Sequence, residues 1–376
     1  MAFYSLFDVV TLEAQIEGNL SKRADKTHLH SPLNPRYDFS VLHKTYQEML
    51  ACVYNASMPS NSEEHKRLVK TIKASGQTLS FDIMLFLCCM HGTCAKVMFE
   101  IYCDLQTEML CQISEIEYSS VILFHANSLS IIEQMKANNI ACETGIKMRS
   151  LLLDRTYNDS CSILTEDCGD ISLLAFEQNE NKNIDLFDNV QAIAENCKSK
   201  LIYIRIENSC DMDYDIPCPI APAFINTCIN LHTLVLSNLT FGGELGLTGC
   251  SSLSTLDLSL PVKGDPVRLI ISPHRLTYCY INIDNSVYSP FVSIKCTCPF
   301  NSQLLEKLVL LNVKLENDLR LLDCGQLQRL GLVNVDTTYI TTSIDYSEIE
   351  VCHLGSFTDQ TVIKDALQSL QHSKCL

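Results

Sequence analysis

The sequence predicts an α-helical domain that runs into an α/β solenoid built from short repeats. Two patterns and the composition support this fold class. Apolar residues recur at helical spacing up to about residue 145, and a different apolar motif recurs at intervals of 22 to 30 residues from Met148 onward. With 47% hydrophobic and 19% charged residues, the 376-residue chain can also fill a core. The predicted domains are a winged-helix remnant and loop at 1–38, a helical domain at 39–145, repeats at 146–357 and a capping helix at 358–376.

The clearest helical pattern in the first part of the chain covers residues 39–55. Ser40 is a suitable amino-terminal cap, and Pro59 ends the segment because proline cannot continue a helix. Similar spacing predicts four more helices, at residues 62–75, 81–90, 95–109 and 129–136.

The repeated motif places one apolar residue first and two more at the fourth and sixth positions. Each short strand would bury these side chains against its neighbours in the array. The period and the pattern are those of about nine leucine-rich repeats. The longer early units have room for a helix at 187–196 or 221–230, whereas the units of 22 or 23 residues have room only for a turn or a 3₁₀ segment. The units begin at Met148, Ile171, Leu201, Leu231, Leu253, Leu276, Leu305, Leu327 and Ile349.

A more specific string occupies Tyr37 to Ala51, with the sequence YDFSVLHKTYQEMLA. It resembles the segment that opens the second helical domain of NOD-like receptors, in particular invertebrate ones, and Leu12–Lys22 resembles the end of their winged-helix domain. The resemblance implies ligand sensing or autoinhibition within an innate-immune receptor. The chain has no G-x-x-x-x-G-K-[ST] phosphate loop, so the nucleotide-driven switch of that family is not carried over to these residues. The sequence leaves open whether a nucleotide-binding domain lies upstream.

Charge and apolar content restrict the expected partners. Residues 1–75 hold 9 basic and 8 acidic residues, so the acidic excess behind the net charge of −16 lies after residue 75. We therefore expect no nucleic-acid binding by that later part of the chain. The amino terminus lacks the basic region of a signal peptide, and the longest apolar run, Phe81–Met90, is about half of the roughly 20 residues that a membrane helix needs. A cytoplasmic chain with no membrane contact is therefore expected. Its 20 cysteines are interpreted as reduced, mostly buried thiols, with disulfides or a metal site as alternatives.

Several residue clusters carry the parts of a catalytic or metal site, but each lacks an essential member. The histidine–thiol pair has no orienting third group, the cysteine pairs have no second ligand pair, and the alternating aspartates lack the glycine and glutamate of a calcium loop. The sequence therefore predicts no catalytic residue, no cofactor and no metal ion. These clusters are His43 with Gln47 and Glu48, His91 with Cys94, Cys296 with Cys298, Cys210 with Cys218, and Asp211 to Asp215.

The predicted site is the concave strand face of the repeats, where variable residues flank the buried leucines. Exposed tyrosine and arginine are typical of binding hot spots, so we expect a protein ligand or receptor domains in trans. Alternatives are a substrate adaptor of the ubiquitin-ligase type or a generic scaffold, and the oligomeric state is not predicted. The candidate residues are Tyr203, Arg205, Glu207, Asp257, Tyr278, Tyr280, Lys307, Arg329 and His353.

Overall fold

The computed structural model describes part of the chain in fifteen segments and four single positions. These are residues 93–112, 117–137, 148–153, 170–178, 184–208, 217–241, 243–260, 267–283, 292–298, 300–301, 303–317, 319–322, 325–335, 340–343 and 349–354, with 63, 66, 67 and 70. The 1–38 region, the string at Tyr37–Ala51 and the capping helix at 358–376 lie outside these described residues. The predicted clusters at His43, His91, Cys210 and Asp211–Asp215 lie outside them too.

The chain divides into two compact units, residues 1–112 with 122–146 and residues 113–121 with 147–376. Helix α1 spans Thr93–Gln112, and helix α2 spans Tyr118–Ala137, with its first four residues in the second unit. Neither helix contains glycine or proline. The predicted helix at 95–109 lies within α1. The one predicted at 129–136 begins much earlier, at Tyr118.

The core of the first unit includes an aromatic cluster between α1 and the part of α2 in the same unit. The Tyr102 ring lies 6.4 Å from the ring of Phe99 and 6.1 Å from the ring of Phe124, measured between centroids. Burial raises the pKa of Tyr102 to about 12, although a hydrogen bond with Asn127 acts in the opposite direction. The cluster therefore keeps the phenol neutral and packs its ring as a core side chain.

The second unit is built mainly from parallel strands in three sheets. The nine-stranded sheet has the order β1-β2-β3-β4-β6-β8-β11-β14-β16, and the smaller sheets have the orders β12-β9-β7-β5 and β10-β13-β15. Its helices are α3 (Ile184–Cys197) and α4 (Pro222–Ile225), with a 3₁₀ turn at Pro273–Arg275. The strands are β1 (Ser150–Leu153), β2 (Leu173–Gln178), β3 (Tyr203–Asn208), β4 (Thr233–Ser237), β5 (Glu244–Gly246), β6 (Thr255–Leu260), β7 (Arg268–Ile271), β8 (Tyr278–Ile283), β9 (Val292–Cys296), β10 (Phe300–Asn301), β11 (Lys307–Leu311), β12 (Val313–Leu315), β13 (Leu319–Leu322), β14 (Arg329–Val333), β15 (Ile340–Ser343) and β16 (Val351–Leu354).

The predicted fold class, a helical domain running into an α/β solenoid of leucine-rich repeats, is wrong. The described residues are mostly parallel β-sheet, with four α-helices of defined bounds, and from β4 onward the strands of the large sheet alternate along the chain with strands of the smaller sheets. The connections predicted as turns contain strands because they carry short alternating patterns, such as Val267, Leu269 and Ile271, which bury every second residue. The predicted helix at 221–230 is reduced to the single turn α4.

The register of the nine-stranded sheet places the apolar positions of neighbouring strands side by side. The central residue of each motif pairs with the central residue of the next, as Leu234 pairs with Ile204 and with Leu256. These three side chains are fully buried, which produces one continuous apolar layer on one side of the sheet. The complete aligned row is Leu151, Leu174, Ile204, Leu234, Leu256, Cys279, Leu308, Leu330 and Cys352.

Three asparagines follow strands of this sheet in a left-handed backbone conformation. Asn238, Asn312 and Asn334 have φ values of 54°, 58° and 52°, a region that asparagine tolerates better than most residues. The Asn312 side chain donates to the carbonyl of Ile283 (2.7 Å), and that of Asn334 donates to Asn312 Oδ1 (3.0 Å). These bonds join the carboxyl ends of adjacent strands, so the chain leaves the sheet in the same way at each of these places.

The four-stranded sheet carries an ion-pair cluster centred on Arg268. Arg268 Nε and Nη2 donate to the two carboxylate oxygens of Glu316, each at 2.8 Å, and Nη1 donates to Glu244 at 3.2 Å. Ser293 also donates to Glu316 at 2.9 Å. The hydrogen bonds from Arg268, followed by those from Ser293, lower the pKa of Glu316 from 4.5 to about 2.

We expect Glu316→Gln to reduce the acid sensitivity of unfolding. A carboxylate with a lowered pKa in the folded state stabilises the fold above its unfolded pKa, and that stabilisation is lost as pH falls. The free energy of unfolding should therefore fall more steeply in the wild type than in the variant between about pH 4.5 and 2. Urea unfolding at a series of pH values measures this. Glu306→Gln is the control and should keep the wild-type profile; identical profiles for wild type and Glu316→Gln would contradict the prediction.

Within the described residues, no helix has both the length and the apolar content needed to cross a membrane.

Candidate protein-binding face of the nine-stranded sheet

Opposite the buried apolar layer, the nine-stranded sheet presents a second face, here called the polar face. Side chains alternate along a strand, so residues two apart share this face, and the parallel register arranges them in three rows. The first row includes Leu173, Tyr203, Thr233, Thr255, Tyr278, Lys307, Arg329 and Val351. The second includes Ala175, Arg205, Val235, Asp257, Tyr280, Val309, Gly331 and His353, and the third Glu177, Glu207, Ser237, Ser259, Asn282, Leu311 and Val333.

All nine predicted site residues lie on the polar face, but two of them are buried. Tyr203 is 0% exposed and Tyr278 is 7% exposed, so the prediction that their side chains are available to a partner is wrong. Tyr203 lies between Leu173 and Thr233 in the first row, with Arg205 two residues further along its own strand. Burial raises the pKa of Tyr203 to about 12, although the positive charge of Arg205 opposes the shift.

Arg205 is held by neighbours within its own unit. Its guanidinium carbon lies 4.3 Å from the ring centroid of Tyr118, the first residue of α2, and its Nη2 forms an ion pair with Glu207. Cation–π contact and an ion pair together fix the side chain in one orientation. Tyr118 was not among the predicted site residues, because it is far from Arg205 along the chain and precedes the first repeat.

The other end of the face carries a cluster of cationic and aromatic side chains, here called the cationic end: Tyr278, Tyr280, Lys307, Arg329 and His353. Lys307 Nζ donates to the Tyr278 hydroxyl (2.9 Å) and lies 4.2 Å from the Tyr278 ring centroid and 5.9 Å from that of Tyr280. Tyr280 and Lys307 are half-buried, whereas Arg329 and His353 are exposed.

Acidic side chains occupy the earlier strands of the same face. Glu177 on β2, Glu207 on β3 and Asp257 on β6 are all half-buried. Asp257 pairs in register with Val235 on one side and with Tyr280 on the other. Charge on the polar face therefore changes from acidic to basic along the order of the strands.

Several thiols in the described part of the chain are poor nucleophiles. Burial raises the pKa of Cys228 to about 11 and those of Cys250 and Cys296 to about 12. Because the thiolate is the form that attacks substrates and binds metals, these side chains pack as apolar groups near neutral pH. Among the described residues, no group of three or more histidine, cysteine, aspartate or glutamate side chains is arranged to hold a metal ion.

Comparison of the chain with protein-family models, with curated proteins and with solved structures found no match. The polar face combines a fixed backbone with charged and aromatic side chains that remain partly exposed, which is suited to binding another macromolecule.

Proposed function

We propose that the chain is a non-catalytic recognition protein that binds a protein partner on the polar face. The observation that carries the proposal is the register, which sets the side chains of the polar face in three rows. The third row, most of the second row and the residues Lys307, Arg329 and Val351 of the first row are partly or fully exposed, whereas the other listed residues of the first row are buried. Such rows form an extended surface on which tyrosine and arginine, the residue types common at binding hot spots, stand beside charged groups.

The backbone under this surface is already ordered. Seven of the nine strands are bonded to neighbours on both sides, and their opposite side chains fill the buried layer, where Ile206, Leu236 and Leu258 are fully buried. A preformed surface loses little conformational entropy when a partner binds, so more of the contact energy appears as affinity. Recognition by this face requires no covalent step.

The resemblance to NOD-like receptors would assign this recognition to ligand sensing or autoinhibition in innate immunity. That assignment rests on the string at Tyr37–Ala51, which lies outside the described residues. A substrate adaptor would use the same face, so the identity of the bound partner distinguishes the two roles.

Cross-linking from defined positions tests the proposal. A photoreactive amino acid at Tyr280 or Ser259 on the polar face should capture the same protein, whereas one at the exposed Lys295 on β9 should not. With that protein purified, Ser259→Arg should lower its affinity at least tenfold, about 1.4 kcal/mol, because the larger side chain blocks close approach. Lys295→Glu is the control and should leave the affinity unchanged. Capture of the same proteins from all three positions would contradict the proposal.

A further inference from the structure

We propose that the cationic end binds an acidic polypeptide segment of the partner. The inference rests on the proposed function and specifies the chemistry that the polar face recognises. Its basis is the arrangement of Lys307 and Arg329, which are direct neighbours in the register of β11 and β14. Adjacent strands lie about 4.8 Å apart, and like charges placed directly opposite each other destabilise a sheet.

Two arginines of the sheets show how a cation is paired elsewhere in the chain. Arg205 is paired with Glu207, and Arg268 with Glu244 and Glu316. Within the described part of the chain, Lys307 and Arg329 have no such carboxylate partner. The chain holds 44 acidic residues and 28 basic ones. Two adjacent cations without a carboxylate partner are therefore unexpected. Carboxylates from a partner would remove the repulsion between them.

The remaining side chains of the cationic end are placed to support a bound carboxylate. The rings of Tyr278 and Tyr280 hold the Lys307 ammonium group near the sheet. The Lys307 side chain therefore loses less conformational entropy when a partner binds. Arg329 and His353 are exposed on the adjacent strands β14 and β16. A carboxylate of a bound polypeptide can therefore reach Arg329, and arginine binds carboxylates through two parallel hydrogen bonds.

An acidic segment fits this surface better than nucleic acid or a second copy of the chain. A nucleic acid needs several phosphate contacts, whereas the cationic end offers two adjacent lysine and arginine side chains on a chain with a net charge of −16. A second copy would bring its own net charge of −16, so the two chains would repel each other as a whole. A short acidic segment of another protein brings its charges only to the cationic end.

Binding of a defined peptide tests the inference. The full chain is titrated with a fluorescent peptide of alternating glutamate and serine, with the matching lysine–serine peptide, and with an oligothymidylate of equal length. We expect the glutamate peptide to bind and its affinity to fall at least tenfold in the Lys307→Glu, Arg329→Glu double variant, because attraction becomes repulsion. The matched control, Lys295→Glu with Lys314→Glu, makes the same change of net charge on the four-stranded sheet and should retain wild-type affinity. Thermal unfolding of both variants confirms that each is folded.

The other outcomes overturn the inference. Absence of binding by the glutamate peptide, or an equal loss in both double variants, would show that the cationic end does not recognise carboxylates. Tighter binding of the oligothymidylate, lost in the Lys307→Glu, Arg329→Glu variant, would identify the surface as a nucleic-acid site. In the remaining case, a partner cross-links from Tyr280 and binds that variant with unchanged affinity. This result would overturn the proposal of an acidic segment and leave the proposal of recognition by the polar face intact.

Discussion

Gly249→Ala is expected to lower the free energy of unfolding by about 3 kcal/mol, the upper part of the range for inserting atoms into a packed site. A Cβ atom at Gly249 would lie 1.9 Å from the carbonyl oxygen of Asn226, far inside van der Waals contact. The Gly249 amide also donates to Asn226 Oδ1 at 2.7 Å, so the two backbones are held at this distance. Because Asn226 caps the single-turn helix α4, relief of the clash requires movement of the backbone. Urea unfolding measures the loss.

Gly325→Ala is the matched control for this substitution. Gly325 lies in the segment between β13 and β14, and a Cβ atom there would meet no other atom within 4 Å. The methyl group should therefore leave the free energy of unfolding unchanged or raise it by about a few tenths of a kcal/mol, because alanine lowers the conformational entropy of the unfolded chain. Equal unfolding midpoints for the two alanine variants would show that the close approach of Gly249 to Asn226 is not present in solution.

The sequence predicts the register of the large sheet better than it predicts the fold class. Positions such as Leu234, Leu256 and Leu308, identified by their recurrence, lie in one row of the sheet, because each repeat returns the chain to the same layer. The connecting strands were missed for a physical reason. In Val313–Leu315 only two apolar residues alternate with one polar residue, too few to separate a strand from a turn. Recurrence along the chain therefore predicts which residues align, but not what the chain does between them.

The candidate site was predictable in position but not in exposure. Alternation places Tyr203 and Tyr280 on the same face as the polar residues, and the structure has them there. The exposure of such a side chain depends on which residues pack over it. Arg205 contacts Tyr118, which is distant in sequence, so no local sequence pattern predicts that contact. The alignment of Lys307 with Arg329, in contrast, follows from the recurrence that aligns Leu308 with Leu330.

Leu256→Ala should lower the free energy of unfolding by about 3 kcal/mol, since removal of a buried leucine side chain loses its transfer energy and leaves a cavity. Leu256 is fully buried at the middle of the aligned apolar row, between Leu234 and Cys279. Leu304→Ala makes the same chemical change at a side chain that is 43% exposed and should cost less than about 1 kcal/mol. Chemical unfolding followed by circular dichroism compares the two variants.

The shape of that transition tests how far the apolar layer acts as one core. Each strand of the large sheet is covered by neighbours that are bonded to further strands, so a cavity at β6 weakens the contacts of both β4 and β8. If the layer is one cooperative core, Leu256→Ala moves the whole transition to lower denaturant with an unchanged slope. If the strands on the two sides of β6 unfold separately, the variant shows two transitions, and the continuous layer would then be two cores in contact. Equal effects of Leu256→Ala and Leu304→Ala would show instead that the aligned row is not buried at all.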